Sequence, residues 1–425
     1  MKKTGRLCMA AACLLLLLCT GAGSVPAGEA EEAAAPAEGG VLTICCMDGT
    51  FRELMRLYRP DYEEDEEGNA FIGETAVRWV ILSPEEGRYQ DWLDAQLPVN
   101  GLQIADDRID LFLLGAADVG KYAASACTLD LTEDLGIEAA AFADQFPFAA
   151  ALGTDGSGRR KASAVWFEPG LLCYRREAAE ELLGSGEPEA AAAAVRDIAA
   201  LKDTAVLAEE KHMALFPSAG VLFPYYTAVS GTGTSGPENT LSGNHIPDSM
   251  KEWTDLLADF EKKGLFGEDA VFDAVPEESP AFDEEDGESG TLGMCRGPAL
   301  CVTDAAWIAC AGGTDNPALA ADIIRGMTCD GEMLRAIAGG SGYFTNTVSG
   351  MEETAAGFSS TVYGGQNTRA LMLETAVELA ESPEDRVPCD RILTERFRDS
   401  MQDYIEGKVS FEEAERRFYG SEDRF

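Results

Sequence analysis

"WIACAGGTDNPALAADIIRGMTCD", residues 307–330, starts as a run of small apolar residues, turns at Gly312 and Gly313, and continues into a helical pattern. Asn316 suits the N-cap of that helix and Pro317 its first position. Leu319, Ile323, Ile324 and Met327 recur at helical spacing, which predicts one buried face. Nothing in the stretch is catalytic. It predicts a buried strand followed by a helix packed on a sheet, a scaffold whose function lies beside it.

Outward from this stretch, strand-like and helix-like segments alternate, which predicts α/β architecture. "VLTICC" (41–46) and "IDLFLL" (109–114) read as buried strands and "AVRWVIL" (76–82) as an alternating one. Thr50 with Glu53 has the pattern of a capping box, as does Ser410 with Glu413. Tyr89, Leu93 and Leu97 fall on one helical face. "KASAVWFEPGLLCYRREAAEELLG" (161–184) reads as strand, kink at Pro169, strand, helix. Met250, Trp253, Leu256, Leu257 and Phe260 form the apolar face of another helix, and Leu393, Phe397, Met401 and Tyr404 that of a third, with Gly407 at its C′ position.

The chain has 425 residues, enough for two lobes. Its 75 acidic and 33 basic residues leave a net charge of −42, with no basic stripe to neutralise phosphates, so nucleic acid is not an expected partner. The acidic surface reads as solubility and self-repulsion. Residues 1–27 read as a secretory signal, with a basic start and an apolar run too short to span a bilayer. Two endings are open: lipidation of Cys19 at the end of "LLLC", or cleavage after Ala27. Residues 28–40, "GEAEEAAAPAEGG", read as a flexible tether. The expected location is extracytoplasmic, lipid-anchored at the cell surface or secreted. A lipid on Cys19 is the only membrane contact foreseen.

Twelve cysteines occur, three of them in the leader, and the body cysteines sit in apolar stretches without zinc-like spacing. No metal or cofactor is expected; export would permit disulfides, but no pairing stands out. The acidic stretch 276–290 lacks the ligand spacing of a calcium loop. Only His212 and His245 occur, and there is no HExxH, GxSxG, P-loop or GxGxxG after a strand, so no enzyme is expected. A carboxylate-only glycosidase is the residual alternative.

What remains is aromatics and carboxylates near strand ends, where open α/β sheets bind ligands. Candidate ligand-binding residues are Asp48, Asp118, Trp166, Phe167, Glu168, Tyr225, Tyr226, Asp304 and Trp307. Aromatic faces pack on the apolar face of a pyranose and carboxylates accept from its hydroxyls, so the set suits a sugar.

These segments, in this order, resemble the extracellular solute-binding proteins of family 1, the sugar-binding components of bacterial ABC importers. The resemblance rests on "YQDWLDAQL…IDLFLLGAADVGKYAASACTLDLTE", "AVWFEPGLLCYRRE", the stretch 307–330 and "YIEGKVSFEEAERRF". It implies a two-lobe periplasmic-binding-protein-like (type II) fold with a hinge and an interlobe cleft. It assigns 41–160 with 296–345 to one lobe and 161–295 with 346–425 to the other. It also implies a monomer that binds a mono- or oligosaccharide, closes, and delivers it to ABC permease subunits served by a separate ATPase. Asp48, Thr50, Asp118, Glu168, Trp307, Gln366 and Asn367 match cleft positions of the family pattern. Thr303, Asp304 and Ala305 depart from it, since relatives carry "WGG" there. Alternatives are the same fold binding a cationic, peptide or polyamine solute, and a sensory surface lipoprotein that does not transport.

Overall fold

A first strand, β1 (Val41–Cys46), is almost wholly buried and organises the sheet around it. A computed structural model describes residues 39–83, 88–229, 245–275, 290–380 and 391–420. The signal, the Cys19 and Ala27 processing sites, most of the tether and nearly all of the acidic stretch 276–290 lie outside the described residues. Glu38–Phe425 is a compact unit by itself.

After β1 come helix Thr50–Tyr58, β2 (Tyr62–Glu64), β3 (Ala70–Ile72) and β4 (Thr75–Ile81). Helix Arg88–Gln96 leads to β5 (Leu111–Leu114), and β6 (Ala162–Pro169) follows later. Beyond Gly170 lies β7 (Leu171–Arg175), then β8 (Phe272–Ala274), β9 (Leu292–Arg296) and β10 (Val302–Cys310). Seven strands form one sheet in the order β2-β3-β4-β1-β5-β10-β6, and β8-β7-β9 form a second. β1 pairs in parallel with β4 and β5, while β10 inserts antiparallel between β5 and β6.

The large sheet is covered on both faces, which explains why its central strands read as continuous apolar runs. Leu42, Ile44, Leu111 and Leu113 face one core, with Ile323, Ile324 and Met327 of helix Pro317–Cys329. Cys45, Phe112 and Leu114 face the other, with Tyr89 and Leu93. A third core gathers Trp253, Leu257, Phe260, Phe397 and Met401 about the second sheet.

Two chain crossings join the sheets: β6 to β7 through Gly170, and β9 to β10 through 297–301. They touch, Gly170 N–H donating to the Cys301 carbonyl (2.8 Å) and Gly297 N–H to the Gly170 carbonyl (3.3 Å). A Cβ on Gly297 would lie 2.0 Å from the Tyr225 ring, so only glycine fits beneath it. Tyr225 seals the crossing, its hydroxyl donating to the Leu171 carbonyl at 2.8 Å.

Three capping expectations change in detail. Asn316 is the N-cap residue as expected, but its side chain makes no capping bond and donates instead to the Val41 carbonyl (2.9 Å), tying the helix start to β1. Thr50 forms no capping box, because Gly49 is the N-cap and Glu53 pairs with Arg56. Ser410 does accept from Glu413 N–H (3.3 Å), while the Glu413 carboxylate turns to Arg417. Gly407 adopts the left-handed backbone expected of C′, at φ 72°. The eight described body cysteines are free, and most are buried.

Candidate functional site

The carboxyl ends of β1 and β6 and the start of β10 lie at the same end of the large sheet. Asp48, just past β1, accepts the Thr50 N–H (2.8 Å) and fixes the turn into helix Thr50–Tyr58. Glu168 and Asp304 are register partners across β6 and β10, two carboxylates side by side next to the crossing.

Register along β6 and β10 decides where the tryptophans go. Ala306 pairs with Trp166 but Trp307 pairs with Ala164, so Val165 is an extra residue in a β-bulge. The bulge puts Val165 and Trp166 on the same face, against the core of Leu42 and Ile44. Trp307 faces the opposite core, fully buried, with its Nε1 donating to the Ala149 carbonyl at 3.0 Å.

Trp166 meets a residue that the sequence reading did not single out. Its ring lies 5.0 Å from that of Tyr343, tilted by 40°. The Tyr343 segment is pinned to β6: Phe167 N–H donates to the Phe344 carbonyl (3.0 Å), and Trp166 bridges to Thr345. Burial pushes the Tyr343 phenol above its usual range, the hydroxyl of Thr50 opposes this by hydrogen bonding, and the charges of Asp48, Glu168 and Asp304 reinforce it. Tyr343 therefore packs on Trp166, hydrogen-bonds with Thr50 and lies in the field of three predicted carboxylates, Asp48, Glu168 and Asp304. The available signal was only its place after Gly342 in "GYFTNT".

The other predicted residues have different surroundings. Phe167 is fully buried among Phe146, Phe148 and Phe344. Tyr226 is buried against Trp253 and Phe397, and Tyr225 seals the crossing. Gln366 clasps β9, its Nε2 donating to the Met294 carbonyl (2.7 Å) and its Oε1 accepting the Met294 N–H (2.9 Å). Asn367 accepts the Ala370 N–H (2.9 Å) at the start of helix Thr368–Ala380. Asp118 precedes helix Val119–Ala123 and accepts from Gln90 Nε2 at 2.7 Å.

A tilted aromatic pair, two hydroxyls and three carboxylates can stack on an apolar ligand face and accept hydrogen bonds around it. Among the described residues, no group of three or more His, Cys, Asp or Glu side chains could hold a metal ion. No described helix is long and apolar enough to cross a membrane. Two concavities elsewhere, about 540 Å³ beside Arg59 and Asp322 and about 240 Å³ between Phe223, Leu257 and Met401, do not include the Trp166–Tyr343 pair.

Comparison with models of protein families finds no match, and comparison with curated proteins finds none either. Solved structures do match. The chain is similar to a crystal structure of an extracellular solute-binding protein family 1, with a TM-score of 0.63 and 16% identity over 89% of this chain and 98% of that one. It is similar to an ABC transporter associated binding protein from B. animalis subsp. lactis in complex with beta-1,6-galactobiose (TM-score 0.61, 13% identity, 90% and 96% covered). A solute binding protein from Agrobacterium vitis with bound D-mannitol is similar too (0.60, 13%, 89% and 96%). At such identities the likeness is one of fold. It agrees with the α/β, two-lobe binding-protein architecture expected from the sequence.

Proposed function

We propose that this chain is an extracytoplasmic solute-binding receptor of family 1 type, not an enzyme, and that its solute is a carbohydrate. The carrying observation is the Trp166–Tyr343 pair, with Tyr343 hydrogen-bonded with Thr50 and in the field of Asp48, Glu168 and Asp304. It sits beside the two crossings, where relative motion of the sheets would open and close over a ligand. We place the hinge at Gly170 and Gly297. The galactobiose and mannitol bound by similar folds support a sugar or sugar alcohol. Delivery to ABC permease subunits follows from the same reading, as does anchoring through Cys19 or secretion after Ala27.

Three carboxylates near one phenol favour a second reading, in which the solute carries a basic nitrogen as well as hydroxyls. The test is a thermal-shift panel of mono- and oligosaccharides, amino sugars, cationic peptides and polyamines. A solute that binds only the folded state adds about 2.7 kcal/mol at about a hundred times its Kd. A shift confined to neutral sugars supports the first reading, a shift confined to amines the second, and silence across the panel rejects both.

A further inference from the structure

The end of the large sheet opposite the candidate site carries an apolar corner. Leu102 and Ile104 are the most exposed large apolar side chains among the described residues, at 86% and 77%; the next, Leu57, is at 52%. Val99 on the same loop is exposed as well. The loop is firmly held. Asn100, buried beneath it, donates Nδ2 to the carbonyls of Ile109 (2.8 Å) and Gly312 (3.1 Å) and accepts the Ile109 N–H (2.7 Å).

The same loop holds the chain where the described residues begin. Asp106 Oδ1 accepts the N–H groups of Gly40 (2.7 Å) and Val41 (3.2 Å), and Asp106 N–H donates to Asp315 Oδ2 at 2.9 Å. To do so Asp106 adopts a left-handed backbone, φ 68°, a conformation that costs free energy for a residue other than glycine. Gly39 N–H donates to the Asp315 carbonyl at 2.9 Å. The two exposed apolar side chains are thus locked to the point where the chain arrives from residues 1–38.

We propose that this corner is a lipid-facing surface, with Leu102 and Ile104 dipping into the outer layer of the bilayer that holds the N-terminus. The inference rests on the export and anchoring reading, and it adds which face of the molecule meets the lipid. Cys19 precedes Gly39 by a short stretch of chain, so an anchor there holds this corner within tether reach of the membrane, at high effective concentration. The −42 charge is repelled by acidic headgroups, so the contact is apolar and suits zwitterionic lipid. Arg108, hydrogen-bonded to the Gln103 carbonyl, stands beside the loop for the phosphates of such lipids, whereas Arg78 pairs with Asp107 at 3.5 Å.

The test holds the chain from Gly28 by an N-terminal histidine tag on nickel-chelating lipid, in phosphatidylcholine vesicles with brominated acyl chains. Leu102→Trp is compared with Val206→Trp, which lies on an exposed face of helix Ile198–Lys211. The expected result is strong quenching of the Leu102→Trp variant, little change for Val206→Trp, and recovery when imidazole releases the tag. Equal quenching of both variants, or of neither, overturns the proposal. A concentration-dependent change at Leu102→Trp without vesicles also overturns it, since a second copy would then cover the corner. Because the tether is artificial, the result does not depend on Cys19, whose lipidation is read separately from the mass of the N-terminal peptide in a membrane fraction.

Discussion

Trp166 and Trp307 lie on neighbouring strands, yet they face opposite sides of the sheet. The extra residue Val165 breaks the pairing between them, so Ala306 opposes Trp166 and Trp307 opposes Ala164. One tryptophan is thereby turned toward Tyr343, and the other is spent on the core. A bulge that re-aims one side chain is a common device beside functional sites.

Glu168→Ala and Tyr343→Phe are the sharpest probes of the proposed site, because neither removes core volume. Each is expected to weaken solute binding about tenfold or more, an effect of about 1.4 kcal/mol. Titration calorimetry checks this against a thermal midpoint that stays close to wild type. Trp166→Ala reads less cleanly. Trp166 is 6% exposed, and emptying such a volume costs about 3–5 kcal/mol of stability in its own right.

Gln366→Ala should behave in the opposite way. It leaves the Met294 N–H and carbonyl without their clasp and costs about 1–3 kcal/mol of stability. Affinity of the folded variant should not change. Urea unfolding beside calorimetry separates the two, and a large loss of affinity at wild-type stability would return Gln366 to the ligand.

Gly297→Ala forces a methyl group into the Tyr225 ring and should destabilise by about 1–3 kcal/mol. Combining it with Tyr225→Leu should recover part of that loss. A double-mutant cycle with no coupling would mean that the ring does not seal the crossing.

Asp144 supplies a pH dependence. Burial raises its carboxyl, but the hydrogen bonds from Thr347 and Ser349 prevail and hold it below its ordinary value. A depressed folded value stabilises above the ordinary carboxylate range, and that stability is lost as pH falls through the folded value. Asp144→Asn should therefore flatten the acid limb of the stability curve. Urea midpoints at pH about 7 and about 3 for both proteins check the sign.

Most of the scaffold follows from local residue pattern. The apolar run at 41–46, the last four residues of that at 109–114, helical faces at 89–97 and 250–260, and the strand–turn–helix of 307–330 all formed, because local periodicity already says which atoms must leave water. Carboxylates at strand ends were legible for a related reason: Asp48, Glu168 and Asp304 stand where charge can stay hydrated at the end of the sheet. Which aromatics join them is set by long-range packing. Phe167, Tyr225, Tyr226 and Trp307 look no different from Trp166 in composition, and what separates them is one bulged residue and the packing of distant segments. Tyr343 arrives from far along the chain, and no local pattern announces a contact set by register between β6 and the segment beside it. Asn316 and Gln366 show the same limit. Their side chains suit a cap or a ligand in sequence, but a carbonyl or amide of a strand brought near by folding claims them first.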